Sequence, residues 1–286
     1  MDDHQYILTL TCKDRTGIVS AIAGFLAARD GFILDSQQFA DLEHGKFFMR
    51  VCFRGDGAAF PQMDVLRTEF EHVAQKFGLD WELVDTSILP NVVIAVSKGS
   101  HCLHDLLYRW RSGALAVNIK AVVSNHENLR DLAQWHDVPF HYLPMGHEGK
   151  AAQEQQILDV LSQYDARWLI LARYMQILSN DMVEKLSGRC INIHHSFLPS
   201  FIGARPYHRA HDRGVKLIGA TAHFVTADLD EGPIIEQAVD RVDHRDTVED
   251  MIRIGRDIEA QVLSRAVKWV AESRVLLNGN RTVVFK

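Results

Sequence analysis

Two short stretches in the second half of the chain put carbonyl chemistry within reach. Asn192 and His194 alternate within the segment Cys190–His194, so a strand there carries both side chains on one face and Ile193 on the other. A carboxamide N–H stabilises an oxyanion and an imidazole moves protons, a pairing suited to attack on a carbonyl carbon. The same pair could instead satisfy loop backbone at a strand end. Downstream, Asp228-Leu229-Asp230-Glu231-Gly232-Pro233 sets carboxylates in a turn before an apolar run. Such a carboxylate can orient an imidazole, stabilise its protonated form or hold a water, although turns favour Asp and Gly for conformational reasons alone.

The remaining candidates are weaker. His195 either shapes the loop after the strand or helps favour water over an amine as nucleophile. His223 is either structural or faces a ligand. His208 and His211 stand at helical spacing, but no third ligand at metal spacing accompanies them, so no metal is expected. Cys102 lacks an evident base and reads as buried packing. Lys98 and Arg173 are either solvated or meet an acidic group.

The elements that must hold these residues fall into two patterns. Residues 5–11 alternate as a strand, a helix follows through Ile18, Ile22, Phe25 and Leu26, and residues 32–39 and 46–53 are strand-like. A second amphipathic helix carries Met63, Leu66, Phe70, Val73 and Phe77, and residues 81–84 supply a last strand. This βαββαβ order implies an α+β, ferredoxin-like unit over residues 1–85, an antiparallel sheet with two helices on one face. Residues 86–90 form a linker closed by Pro90.

Residues 91–286 read as an α/β domain. Near-continuous apolar strands at 92–96, 117–123, 140–143 and 168–172 alternate with helical segments at 103–110, 127–136, 152–162 and 180–186. That pattern gives a doubly wound, mostly parallel sheet. Ligands of such sheets lie beyond the carboxyl ends of the strands, where Asn192 and His194 fall. Two further β-rich runs, a long helix over 248–271 and a hairpin signalled by Asn278-Gly279 complete the chain.

Three stretches together carry a family resemblance: Asn192-Ile193-His194 with Leu198-Pro199-Ser200, then Gly219-Ala220-Thr221-Ala222-His223-Phe224-Val225, then Leu229-Asp230-Glu231-Gly232-Pro233. They resemble the formyl-tetrahydrofolate-dependent formyltransferases over roughly residues 91–238. The resemblance implies catalytic roles for Asn192, His194 and Asp230. Asp228 does not match, since the family's aspartate sits two residues before the glycine. Tyr174, Met175, Gln176, Ile177 and Leu178 resemble the family's pterin-binding stretch, and His223 and Leu229 are implied as further substrate contacts.

Ser97-Lys98-Gly99-Ser100-His101 departs from the Gly-x-Gly-Ser-Asn type loop with which glycinamide-ribotide formyltransferases cradle their acceptor's phosphate. Water is then the natural nucleophile, and the likeness narrows to the formyltetrahydrofolate deformylases, whose members also carry an N-terminal ACT domain. The expected reaction is hydrolysis of 10-formyltetrahydrofolate to tetrahydrofolate and formate, with a water held between His194 and Asp230, supplying formate for one-carbon and purine metabolism. Folate is the substrate and no cofactor is implied; transfer to an amine acceptor is the alternative. The ACT likeness implies assembly into a homo-oligomer, dimer or tetramer, and a small amino-acid effector such as glycine or methionine. Its candidate loop is Asp14, Arg15, Thr16, Gly17, Ile18 and Val19.

Bulk properties fit these expectations. A net charge of −6 argues against nucleic acid as a partner. Four scattered cysteines with no C-x-x-C pair, no signal peptide and no long apolar run point to a cytoplasmic protein away from membranes.

Overall fold

The computed structural model describes residues 4–57, 60–147, 149–196 and 206–286. Leu198, Pro199 and Ser200 of the first motif lie outside these residues.

In the first unit the apolar alternation of the sequence becomes a four-stranded antiparallel sheet. Its elements are β1 (Gln5–Lys13), α1 (Ile18–Ala27), β2 (Gly31–Asp41), β3 (Lys46–Gly55), α2 (Met63–Phe77) and β4 (Asp80–Asp85), with strand order β2-β3-β1-β4. Leu8, Leu10 and Cys12 of β1 share one core with Ile18, Ile22, Phe25 and Leu26 of α1 and Leu66, Phe70 and Ala74 of α2. The two helices meet through an edge-on contact of Phe25 with Phe70, ring centroids 5.1 Å apart. The outer edge of β2 pairs with no described strand, and Phe32, Leu34, Phe39 and Leu42 around it are exposed.

The chain divides after Leu89, and residues 272–278 and 283–286 group with the first unit. The sequence reading carried the second domain to residue 286. The difference has a polar cause: the Arg50 guanidinium donates to the Glu272 carbonyl, and the Asn278 amide donates to the buried Asp41 carboxylate at 2.7 Å. These side-chain bonds span more than 200 residues of sequence, beyond the reach of any local pattern. Asn278 closes β12 (Val275–Asn278), and Gly279, with φ 62°, opens the turn into β13 (Arg281–Val284).

The second unit is a seven-stranded sheet of order β11-β10-β9-β8-β5-β6-β7. Its elements are β5 (Asn91–Val96), α3 (His101–Arg111), β6 (Asn118–Ser124), α4 (Arg130–Trp135), β7 (Phe140–Tyr142), α5 (Gly149–Gln163), β8 (Trp168–Leu171), α6 (Asn180–Lys185), β9 (Cys190–His194), α7 (Pro206–Asp212), β10 (Leu217–Phe224), β11 (Ile234–Arg241) and α8 (Val248–Ala271). Strands β9 through β7 are parallel, whereas β10 and β11 add on antiparallel. Val92–Val96 and all of β8 are buried, the apolar continuity expected of strands covered on both faces. Helix α4 is shorter than the 127–136 pattern because the Arg130 N–H bonds the Glu127 carbonyl in a four-residue turn.

The chain winds from β5 outward to β7 and then returns to β8 on the other side of β5. The connections that leave the paired carboxyl ends of β5 and β8 therefore run in opposite directions, opening the crevice that such a switch point creates. A short polar network pins the loops there: Ser97 Oγ donates to Asn125 and accepts from the Met175 N–H at 3.0 Å.

Candidate active site

Strand β9 buries Cys190, Ile191 and Ile193 and leaves Asn192 and His194 half-buried. The two polar side chains thus share a face at the strand's carboxyl end. Antiparallel pairing sets His223 of β10 directly opposite Asn192 and Thr221 opposite His194. Between Ala222 and His223 the pairing of β10 with β11 slips by one residue, an irregularity of the kind that re-aims a side chain. The imidazole of His223, 2% exposed, lies 2.9 Å through Nδ1 from the Phe224 carbonyl and 3.2 Å through Nε2 from Asn192 Nδ2. A carbonyl only accepts, so Nδ1 holds the proton and Nε2 accepts from the Asn192 amide. His223 thereby decides which way the carboxamide of Asn192 points.

Asp230 arrives from the loop before β11 with φ 57°, a left-handed backbone that Asp tolerates better than most residues. Its Oδ2 lies 3.1 Å from His194 Nδ1, and its Oδ1 lies 3.5 Å from Asn192 Nδ2 and 3.7 Å from His223 Nε2. Burial would raise the Asp230 carboxyl, but the imidazoles of His194 and His223 reverse this and hold it well below the usual carboxylate range. The sequence reading placed a water between His194 and Asp230. The two are in direct contact through Nδ1, and among the described residues no hydrogen bond engages His194 Nε2, the nitrogen left to meet one. Gly232 closes this loop against the β10 backbone: a Cβ there would stand 1.7 Å from the Phe224 carbonyl oxygen.

A cavity of about 200 Å³ collects these groups. Asn192, His194 and Asp230 line it together with Tyr174, Met175, Gln176, Ile177, Leu178, His223 and Leu229, so every residue implied at the folate site borders one space. Tyr174 and Leu178 are buried, whereas Met175, Ile177 and Leu229 are exposed apolar side chains at its rim. Burial and the nearby Glu154 push the Tyr174 hydroxyl up to about 12.

Beside these groups stand Arg173 and His195, which the sequence reading weighs only lightly, and Glu259, which it does not name. Arg173 follows β8 with φ 64°, its Nε 3.2 Å from Glu259 Oε2 and its Nη1 3.0 Å from His195 Nδ1. Glu259, 2% exposed on α8, also takes His101 Nε2 at 2.9 Å and the Tyr207 hydroxyl at 3.2 Å. The available signal was a lone Glu inside the apolar stripe of Met251, Gly255, Val262, Val267 and Val270.

Two groups of described residues bring metal-ligand atoms within 4.8 Å of one another: His101, Cys102 and Glu259, and Asp41, Glu43 and His44. In the first, Arg173 and His101 already occupy the carboxylate, and burial pushes the fully buried Cys102 thiol well up. A cation there would compete with a guanidinium, so this donor set fits an ion-pair network. The second is a turn whose Asp41 bonds Asn278. His208 and His211 stand exposed on α7, outside either group. The four cysteines are free and buried, and no helix of the described chain is long and apolar enough to cross a membrane.

In the first unit, Asp14, Arg15, Thr16, Gly17, Ile18 and Val19 line an open cavity of about 590 Å³ with Ser20 and Phe47.

The formyl transferase family matches residues 90–267. The formyltetrahydrofolate deformylase of Bacillus subtilis (strain 168) is 50% identical over 97% of this chain and 93% of its own length. The crystal structure of formyltetrahydrofolate deformylase from Burkholderia mallei superposes with a TM-score of 0.95 at 50% identity, covering 99% of this chain and 100% of that one. That from Pseudomonas syringae pv. tomato gives 0.95 at 45% identity, covering 99% of this chain and 95% of the other. The chain, with its mostly parallel formyltransferase-type sheet and the site at that sheet's switch point, belongs to the formyltetrahydrofolate deformylase family.

Proposed function

We propose that this chain hydrolyses 10-formyltetrahydrofolate to tetrahydrofolate and formate. The carrying observation is the convergence of Asn192, His194 and Asp230 at one cavity. Asp230 accepts the Nδ1 proton of His194, so Nε2 takes a proton from water as its oxygen attacks the formyl carbon. The tetrahedral oxyanion accepts the second Nδ2 hydrogen of Asn192, which before substrate arrives is donated to Asp230 Oδ1 over a long Nδ2–Oδ1 distance of 3.5 Å. The imidazolium then returns its proton to the folate nitrogen, the C–N bond breaks, and formic acid leaves and ionises to formate. Tyr174–Leu178, His223 and Leu229 hold the pterin, with exposed Met175, Ile177 and Leu229 flanking its faces. Folate is substrate, and the reaction as written requires no cofactor or metal.

Transfer to an amine is the second reading, favoured by one observation. Lys98, His101, His126, Arg173 and Arg256 border a neighbouring cavity of about 350 Å³ at the end of β5, a basic space where an anionic acceptor could sit. Incubation with 10-formyltetrahydrofolate and no acceptor separates the two. Stoichiometric formate and tetrahydrofolate, abolished in His194→Ala, support hydrolysis; release that demands an added amine rejects it.

The first unit acts as an ACT-like regulatory and assembly domain in this reading. Exposed Phe32, Leu34, Phe39 and Leu42 beside the open β2 edge support side-by-side assembly into a dimer or tetramer. The cavity at residues 14–19 takes a small amino acid such as glycine or methionine. Calorimetry across a panel of amino acids tests the effector, and light scattering tests the assembly. The free thiols fit a reducing cytoplasm, and formate release fits supply of one-carbon units to purine synthesis.

A further inference from the structure

His195 stands next to the proposed base, its ring 4.7 Å from that of His194 and inclined by 31°, and it borders the same cavity. The hydrolysis outlined above gives it no task. Its environment nevertheless fixes its chemistry. Arg173 Nη1 lies 3.0 Å from His195 Nδ1, and a guanidinium has only hydrogens to offer. Nδ1 must therefore accept, and the ring's single proton sits on Nε2.

The guanidinium is itself held. Its Nε faces Glu259, a carboxylate 2% exposed that also receives His101 and Tyr207. Burial would raise the Glu259 carboxyl, but His101 and Arg173 outweigh it and keep it low, so the anchor stays anionic. Arg173 adopts a left-handed backbone to make this bridge, a cost that persists only where the surroundings over-determine it.

We infer that Glu259, acting through Arg173, positions His195 as a neutral Nε2–H donor beside the formyl group and leaves proton exchange to His194 alone. Two results follow, both resting on the deformylase reading. The cavity gains a fixed donor for the attacking water or the developing oxyanion. The charge that forms on His194 in turnover also meets no second imidazolium at its side.

Among the described residues, the titratable groups around His195 are His194 on β9, Arg173 after β8, Asp230 before β11, Glu259 on α8 and Tyr207 on α7, whose ring centroid is 6.3 Å away. Burial, then Arg173 and His194, lower the imidazole to about 4 against the opposing pull of Glu259 and Asp230.

Nitrogen-15 NMR of the histidine rings in the full-length protein reads tautomer and titration without reference to activity. In the wild-type chain His195 should show Nε2–H and no titration between pH 5.5 and pH 8, about the range where a free imidazole changes charge. In Arg173→Met its tautomers should mix and its titration should rise, with burial still holding it below the free imidazole, while kcat acquires a new acid limb and KM stays within about twofold of its starting value. Glu259→Gln, which takes the anion away from Arg173 Nε, should mix the His195 tautomers in the same way. His195→Ala should lower kcat about tenfold, a neutral hydrogen bond's share of rate, and His195→Gln, which restores an N–H near the Nε2 position, should recover most of it. A wild-type His195 that carries its proton on Nδ1, or that titrates near 6.5, overturns the inference. So does an Arg173→Met protein with unchanged tautomer and pH profile. If the NMR signals behave as stated but no formate is released, the positioning stands and the proposed reaction fails.

Discussion

Asp230→Asn isolates one charge from everything else in the site. Asparagine tolerates the left-handed backbone that Asp230 adopts at φ 57°, and its carbonyl oxygen can still accept the Nδ1 proton of His194. Geometry is therefore retained while the anion is removed. A full charge pair across the 3.1 Å from His194 Nδ1 to Asp230 Oδ2 is worth about 5 kcal/mol at an effective dielectric constant of about 20. The side chains are 17% and 24% exposed, so solvent screening brings this to about 3 kcal/mol. That energy applies only when His194 becomes cationic, so it belongs to the transition state and not to substrate binding. The expected outcome is a fall in kcat of about 10²-fold with the dissociation constant for a folate analogue nearly unchanged, measured by stopped-flow formate release and by calorimetry. The substitution carries a second signature. The folded-state value of Asp230 lies below its unfolded value, so its ionisation stabilises the fold above about pH 4 and this contribution is lost as pH falls through the folded value. Thermal unfolding should show the variant less stable than wild type at pH 7 and the gap closing on acidification. A kcat within about threefold of wild type in a folded Asp230→Asn protein would refute the electrostatic reasoning.

Gly232→Ala places a Cβ 1.7 Å from the Phe224 carbonyl oxygen, so the loop carrying Asp230 must move. Both Tm and kcat should fall, and unchanged activity would separate that loop from catalysis. Leu103→Ala, at a fully buried position of α3, should cost about 2–5 kcal/mol in urea unfolding while KM holds, a check that the assays distinguish core from site. Incubation with EDTA should leave formate release intact, and loss restored by a divalent ion would reject the metal-free mechanism. Arg173→Gly removes the guanidinium partner of the buried Glu259, leaving it His101 and Tyr207, and should destabilise the chain by no more than about 3–5 kcal/mol; the double variant Arg173→Gly with Glu259→Gln should recover stability in unfolding experiments without recovering kcat.

Local patterns made most of the fold legible. The two-residue period of β1 and the unbroken apolar runs of β5 and β8 each report a strand's surroundings directly. Alternation along β9 is enough to put Asn192 and His194 on one face. What the sequence hid is long-range and polar. Glu259 meets His101 across 158 residues, and Asn278 meets Asp41 across 237. No periodicity encodes such pairs, because each partner looks ordinary in its own helix or turn. His223 lies between these cases. Its strand was visible in the sequence, but its position opposite Asn192 depends on strand register, and its aim also reflects the local slip between Ala222 and His223.

Arg173 and Asp230 show where the molecule stores local strain. Among the described residues, six other than glycine have positive φ, and four of them are Asp. A short carboxylate can bond nearby backbone in that conformation, which lowers the cost. Arg173 has no such recourse, so its conformation is maintained by the bonds its guanidinium makes to Glu259 and His195. Asp230 is maintained by His194, by the other polar groups around its carboxylate and by the close approach of Gly232 to the β10 backbone. Both residues leave secondary structure beside the same cavity, one after β8 and one before β11, and each points a charge at one of the two adjacent imidazoles. The opposite signs have opposite effects: the carboxylate accepts from His194 and faces the charge that ring carries in the proposed turnover, and the guanidinium makes protonation of His195 harder. In the proposed mechanism two neighbouring rings of the same chemical type thereby take different tasks, which a site built from unstrained backbone and solvent-exposed histidines could not achieve.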